Sequence, residues 1–386
     1  MAANSKPELA TVISHFLPVL NTKHKLPPYK LRVLDAIQKC RTEYMGGHVE
    51  ACQDCGNIHE AFNSCRNRHC PKCGAIEKER WVLNREADLL PVKYFHVVFT
   101  VPDKLNKLFL DNQQAMYNQL FYAVWDVMDS FGQTPKWLGG KIGYTALLHT
   151  SGQNLHYHPH LHLIVPAGAL MPDGSWKHAR NRGKFLFDVK QLSSVFSARF
   201  VEQIRKMKKE GAITGEIPTG LFDKKWAVYA KQPFGSPNQI INYLGRYTHR
   251  TAISNERILH VDGKTVTFSW KDYRHNYKQQ VTTLKGECFL DLFCQHILPP
   301  GFTRIRHYGF LSSASKTKSL PKIRIAIKAK PILKPRQPLS WQDIIFAKTG
   351  IKPGICKCCG GKMVAIKSLP NHFLAPKRAP PLLNLP

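Results

Sequence analysis

The chain has 386 residues, 43% of them hydrophobic and 10% aromatic; this supports a packed core in one large domain or two to three smaller ones and excludes a disordered polymer. Lys and Arg number 56 against 26 Asp and Glu, a net +30, and self-repulsion on that scale calls for an anionic partner. Nucleic acid fits best, because no basic amphipathic anchor stands out and the longest apolar stretch, Tyr94 to Val101, is far too short to span a bilayer.

Eleven cysteines in an odd, clustered pattern argue against a disulfide framework and read as metal sites in a reducing compartment. The first twenty residues lack the clean apolar core of a secretory signal. A cytoplasmic protein is therefore expected.

Three zones follow in chain order: residues 1–88, a helical lead-in and Cys/His cluster; residues 89–295, alternating strand-like and helix-like segments; and residues 296–386, basic and proline-rich with another Cys cluster. In the first, Cys52-Gln-Asp-Cys55 and Cys70-Pro-Lys-Cys73 are two CxxC pairs with fourteen residues between them, the pattern of a tetrahedral four-sulfur zinc ribbon. Cys40, His48, Cys65 and His69 remain as a candidate second zinc set. Arg66, Asn67 and Arg68, on the linking loop, are candidate phosphate or base contacts.

In the middle zone, Tyr94–Val101 reads as a buried strand ending at Pro102. Residues 105–130 carry apolar side chains at helical spacing, residues 142–149 and 159–166 read as two strands, and residues 191–210 read as a helix. Strands interleaved with helices suggest α+β or α/β. Alternation along the strand at 159–166 sends His158, His160 and His162 to one side and Leu161 and Leu163 to the other. Two imidazoles spaced by two on a rigid strand clamp a divalent ion. A hairpin would bring His149 beside them as third ligand, with His158 as its competitor.

Ser236-Pro237-Asn238-Gln239 is a helix start, with Ser as N-cap, Pro at the first position and Gln able to close a capping box. On the helix that follows, Tyr243 and Tyr247 are four apart, so their hydroxyls share a face. Arg246, His249 and Arg250 follow as candidate phosphate contacts. Taken alone, the tyrosine pair is commonly a packing feature; beside the histidine strand it suggests two nucleophiles addressing one metal-bound phosphate.

The last zone carries 17 Lys and Arg against one acidic residue, Asp343. Cys356-Lys-Cys358-Cys359 holds a single CxxC pair, a half-site that either pairs with another part of the chain or is vestigial; His372 is the nearest further ligand. Cys288 and Cys294 are expected in the core.

The sequence resembles the HUH endonucleases, specifically the two-tyrosine rolling-circle transposases of bacterial insertion sequences. The resemblance rests on Pro159-His160-Leu161-His162-Leu-Ile-Val and on Tyr243-Leu-Gly-Arg-Tyr247-Thr-His-Arg. Supporting stretches are Tyr94-Phe-His-Val-Val-Phe-Thr-Val-Pro102, Asn63 to Cys73, Lys231-Gln-Pro-Phe-Gly235 and Arg304-Ile-Arg-His-Tyr-Gly309. It covers about residues 30 to 360.

The resemblance implies an α+β catalytic domain with a central antiparallel sheet carrying the HUH strand, flanking helices, an N-terminal zinc-binding domain and a basic C-terminal region. It also implies Mg²⁺ or Mn²⁺ at the histidines and nicking of single-stranded DNA through a 5′-phosphotyrosine, with Tyr243 and Tyr247 as nucleophiles. In related enzymes the third ligand is a preceding histidine, which His149 matches, or Glu, Asp or Gln, which leaves Gln153 open. Lys231, Arg304 and Arg306, in the family-like stretches, complete the candidate DNA contacts. The competing readings are a plasmid replication initiator or relaxase with the same chemistry, and an inactive zinc protein that only binds DNA.

Overall fold

Apolar runs rich in β-branched and aromatic residues become strands, and runs of helical period become helices. The computed structural model describes residues 6–86, 88–234, 239–240, 245, 251–272, 275–330 and 340–373. In chain order, α1 (Leu9–Lys23) and α2 (Pro28–Gln38) precede β1 (Gly47–Cys52), β2 (Ile58–Phe62) and α3 (Ala75–Glu86). Then come β3 (Tyr94–Thr100), α4 (Asn106–Asp111), α5 (Gln113–Gln133), β4 (Gly143–Ser151), β5 (Tyr157–Pro166), β6 (Gly168–Leu170), β7 (Trp176–His178), α6 (Arg180–Gly183) and α7 (Val189–Lys209). The remainder is β8 (Val228–Phe234), β9 (Ile258–Val261), β10 (Thr265–Asp272), β11 (Lys278–Lys285), α8 (Gly286–Gln295), β12 (Ile305–Gly309), α9 (Ser313–Ala326), α10 (Trp341–Thr349) and β13 (Met363–Leu369).

The architecture is α+β. Five strands pair antiparallel in the order β12-β4-β5-β3-β8. Phe95, Val97 and Phe99 of β3, with Leu161, Leu163 and Val165 of β5, share one face and enter the main core against α5 and α7. Phe99 meets Phe196 of α7 edge-on at 5.1 Å between ring centres. Asp188 caps α7, its side chain accepting from the Gln191 amide at 2.9 Å. With one face sealed by two long helices, only the other is left for chemistry.

The helix expected over 105–130 is broken at Asn112, whose backbone (φ −132°, ψ 43°) separates α4 from α5. Its side chain explains the break. Asn112 Nδ2 donates to the carbonyls of Leu108 and Thr214, and Oδ1 accepts from the Thr214 amide, an alternative to continued helical bonding.

A second core joins α1, α2 and α8 to the three-stranded sheet β11-β10-β9. Gly286 permits the close approach of α1, because a Cβ there would meet the Phe16 ring at 2.1 Å. Cys294 is in this core, as expected, whereas Cys288 is exposed. The region from 296 onward supplies the edge strand β12 to the central sheet. It also supplies β13, which pairs antiparallel with β1 beside β2. Among the described residues no helix is long and apolar enough to cross a membrane.

Candidate functional site

β4 and β5 pair so that His149 stands opposite His160 and Leu147 opposite His162. Alternation then gathers His149, His160 and His162 on the face away from the main core, with potential ligand nitrogens all within 4.8 Å of one another. Ring centres lie 4.5 Å apart for His149 and His162 and 4.8 Å for His160 and His162. His160 Nδ1 lies 2.6 Å from the His158 carbonyl oxygen. A carbonyl only accepts, so Nδ1 carries the proton and Nε2 is left as the ligand atom. His162 Nδ1 lies 2.8 Å from Nε2 of His96 on β3, and both rings are buried. Three neutral imidazoles at this spacing suit a divalent metal.

His158 does not join them. Two residues of β5, His158 and Pro159, face one residue of β4 between the pairs His149–His160 and Ser151–Tyr157. This bulge accommodates a proline that cannot donate to the ladder. His158 pairs instead with Asp103, Nδ1 to Oδ1 3.3 Å. Gln153 lies in the β4–β5 turn, where its carbonyl accepts from Arg257.

The tyrosine segment is described only at Gln239, Ile240 and Gly245. Tyr243, Tyr247, Arg246 and Arg250 lie outside the described residues. Ile240 is fully buried with Tyr94, Leu147 and Ile164, on the same sheet face as the three histidines. Gly245 lies near α3, where a Cβ would sit 3.5 Å from Val82.

The cysteines group differently from the sequence expectation. Cys52 and Cys55 do not meet Cys70 and Cys73. One cluster is Cys40, Cys65, Cys70 and Cys73; the other is Cys52, Cys55, Cys356 and Cys359. In the first, Cys73 Sγ lies 3.3 Å from Cys40 Sγ and 3.6 Å from Cys65 Sγ. Zn–S bonds of about 2.3 Å in a tetrahedron place sulfurs roughly 3.8 Å apart, so four thiols at this spacing fit zinc.

His48 and His69 belong to neither cluster. His48 contacts Glu50 at 3.1 Å. His69 is buried, its Nε2 accepting from the Leu298 amide at 3.3 Å, and burial beside Arg68 and Arg304 holds it well below its usual titration range. The half-site at 356–359 thus finds its partner across the chain. Each CxxC is followed by a glycine at positive φ, namely Gly56 (71°), Gly74 (85°) and Gly360 (80°), which turns the backbone as only glycine does readily. That shared CxxCG pattern marks three equivalent knuckles.

The candidate DNA contacts divide by environment. Arg66 is exposed. Arg68 is turned inward, donating to the Phe302 carbonyl at 2.6 Å, and burial lowers its pKa. This ties the first zinc loop to the segment entering β12. Arg304 is half-buried, its pKa lowered to about 10 by desolvation, and it lines a cavity with His69, His149, Thr150 and His296 that opens beside the imidazole cluster. Arg306 faces the opposite side of the sheet, its guanidinium 4.2 Å from the Phe121 ring centre. Lys231 pairs in register with His96.

His96 is the neighbour of the imidazole cluster that sequence reasoning missed. The available signal was its place, two residues into the family-like strand that flanks β5.

Residues 143–319 match a family model described as "Putative transposase", and residues 12–101 match one described as "Transposase zinc-binding domain". "Putative transposase y4qJ" of Sinorhizobium fredii is 38% identical over 95% of this chain and 96% of its own length. "Transposase for insertion sequence element IS801" of Pseudomonas savastanoi pv. phaseolicola is 29% identical over 84% of this chain and 80% of its own. Among solved structures, conjugative relaxase TrwC in complex with oriT DNA, in metal-bound form, overlaps 35% of this chain and 49% of its own, at a TM-score of 0.28 and 12% identity.

Proposed function

This chain belongs to the two-tyrosine HUH transposases of IS91/IS801-type bacterial insertion sequences, and from that premise we propose that it nicks single-stranded DNA at element ends through tyrosine and transfers the strand. The observation that carries this reading is the convergence of His149, His160 and His162 on the open face of the central sheet. Ile240, three residues before Tyr243, is buried against that same face, which supports the tyrosine segment acting there.

His149, His160 and His162 would hold Mg²⁺ or Mn²⁺. An ion held there would supply Lewis-acid polarisation of the scissile phosphate and stabilisation of the leaving 3′-oxygen. A free tyrosine phenol titrates near 10 and is a weak nucleophile, so attack by Tyr243 or Tyr247 would draw on that help. The phenol oxygen bonds to phosphorus as the P–O3′ bond breaks. The phenol gives up its proton and the 3′-oxygen takes one up. The resulting 5′-phosphotyrosine remains a diester and conserves the bond for transfer to a second strand end. Arg246 and Arg250 would hold flanking phosphates, and exposed Arg66 on the zinc loop would contact DNA.

A labelled single-stranded oligonucleotide carrying the element's terminus, incubated with the protein and Mg²⁺, should give a covalent adduct on a denaturing gel. Tyr243→Phe and Tyr247→Phe should each retain adduct, and the double variant none. Absence of adduct across a full set of terminal sequences would sink the nuclease reading.

A further inference from the structure

Cys52 and Cys55 close the hairpin side of β1, and Cys356 and Cys359 precede β13, yet the four sulfurs form one cluster. Cys52 Sγ lies 3.4 Å from Cys359 Sγ, and Cys55 Sγ lies 3.7 Å from Cys356 Sγ. The two turns are near copies. Gly56 N donates to the Cys52 carbonyl at 3.1 Å and Gly360 N to the Cys356 carbonyl at 3.0 Å. Amides of Cys358 and Gly361 point at Cys356 Sγ and Cys359 Sγ, each at 3.4 Å. Such N–H donors suit thiolates bound to a metal.

Apolar packing does not account for this part of the molecule. β2 is mostly exposed and so is β13. Among described residues from 340 onward, only Ile344 and Cys356 are buried hydrophobics, and neither is in a hydrophobic core cluster. A three-stranded sheet without a core needs a staple. The backbone pairing of β13 with β1 and the Gln53 amide to the Lys362 carbonyl, 3.0 Å, supply register but little burial.

We propose that Cys52, Cys55, Cys356 and Cys359 bind a second structural zinc ion that clasps the C-terminal segment to the N-terminal zinc domain. The ion closes a loop of some three hundred residues, and it holds β13, with Lys362 just before it and Lys367 within it, against β1. The clasp is independent of the first cluster, whose four thiols pack on the core of α1, α2 and α8.

Zinc content of the purified full chain, measured by mass spectrometry, should be two equivalents. The double variant Cys356→Ser, Cys359→Ser should retain the one equivalent held by Cys40, Cys65, Cys70 and Cys73 and lose the other. One equivalent in the wild type, or two retained in the variant, overturns the proposal, as does a thiol titration of the denatured, chelated wild type that finds these cysteines in disulfides.

A second measurement does not depend on variant folding. With a protease site inserted between residues 330 and 340, the cut C-terminal fragment should co-elute with the remainder until a zinc chelator is added. Its release before chelation argues equally against the clasp.

Discussion

His162 shows how a single side chain of the imidazole cluster is held in place. Its Nδ1 meets His96 Nε2 at 2.8 Å, so ring orientation is set from the neighbouring strand. Loss of such a supporting partner costs about 10- to 100-fold in metal affinity. His96→Ala is expected to weaken Mn²⁺ binding by that factor in calorimetry while the circular dichroism spectrum is unchanged; an unaltered affinity would remove His96 from the site. His307 gives a second residue-scale prediction. Burial, with Arg85 and Lys316 nearby and Asp88 only partly offsetting them, lowers its pKa to about 4, and Thr145 Oγ1 lies 2.9 Å from its Nδ1. An unfolded histidine titrates near 6.5, so the folded state takes up this proton less readily. The stability His307 supports is complete above pH ~6.5 and is lost as pH falls toward 4. His307→Gln should therefore narrow its Tm gap to wild type on acidification from pH 7, whereas parallel Tm curves would exclude the effect.

At the scale of elements, β5 separates its two duties by alternation. Leu161 faces the main core with no exposure, so Leu161→Ala should cost about 2–5 kcal/mol in urea unfolding. Asp188→Ala, which removes the α7 cap, should cost about 1 kcal/mol. A Leu161 variant as stable as wild type would contradict the two-faced sheet. The bulge at His158–Pro159 shows a limit of alternation as a guide: it tells which residues share a face only while the register holds. Likewise the periodicity over 105–130 is real, but Asn112 interrupts the helix through bonds to Thr214, about a hundred residues away.

For the whole molecule, the net +30 predicts DNA binding that weakens steeply with salt, with log K falling linearly against log salt at a slope near −0.9 per phosphate neutralised on duplex, or about −0.7 on single strands. Fluorescence anisotropy from low to moderate NaCl would test it, and a flat response would detach the basic surface from DNA. The inward-turned Arg68 and the Arg306 stacked on Phe121 indicate that part of the basic complement is structural, so Arg66→Ala should reduce DNA affinity more than Arg306→Ala does.

Sequence alone determined what depends on local pattern. The period-two run at 159–166 determined which side chains of β5 turn away from the core, the β-branched run at 94–101 gave a strand, and CxxC spacing announced zinc knuckles. Tertiary structure decided what depends on partners far apart in the chain: that His149 rather than His158 completes the imidazole cluster, that His96 stands behind His162, and that Cys70 and Cys73 join Cys40 and Cys65 while Cys52 and Cys55 wait for Cys356 and Cys359. The physical reason is that a knuckle is a local turn, whereas four sulfurs around one ion are a loop closure. The entropy of closing a loop grows only slowly with its length, so a knuckle three hundred residues away can outcompete one fourteen residues away once the strands between them fold.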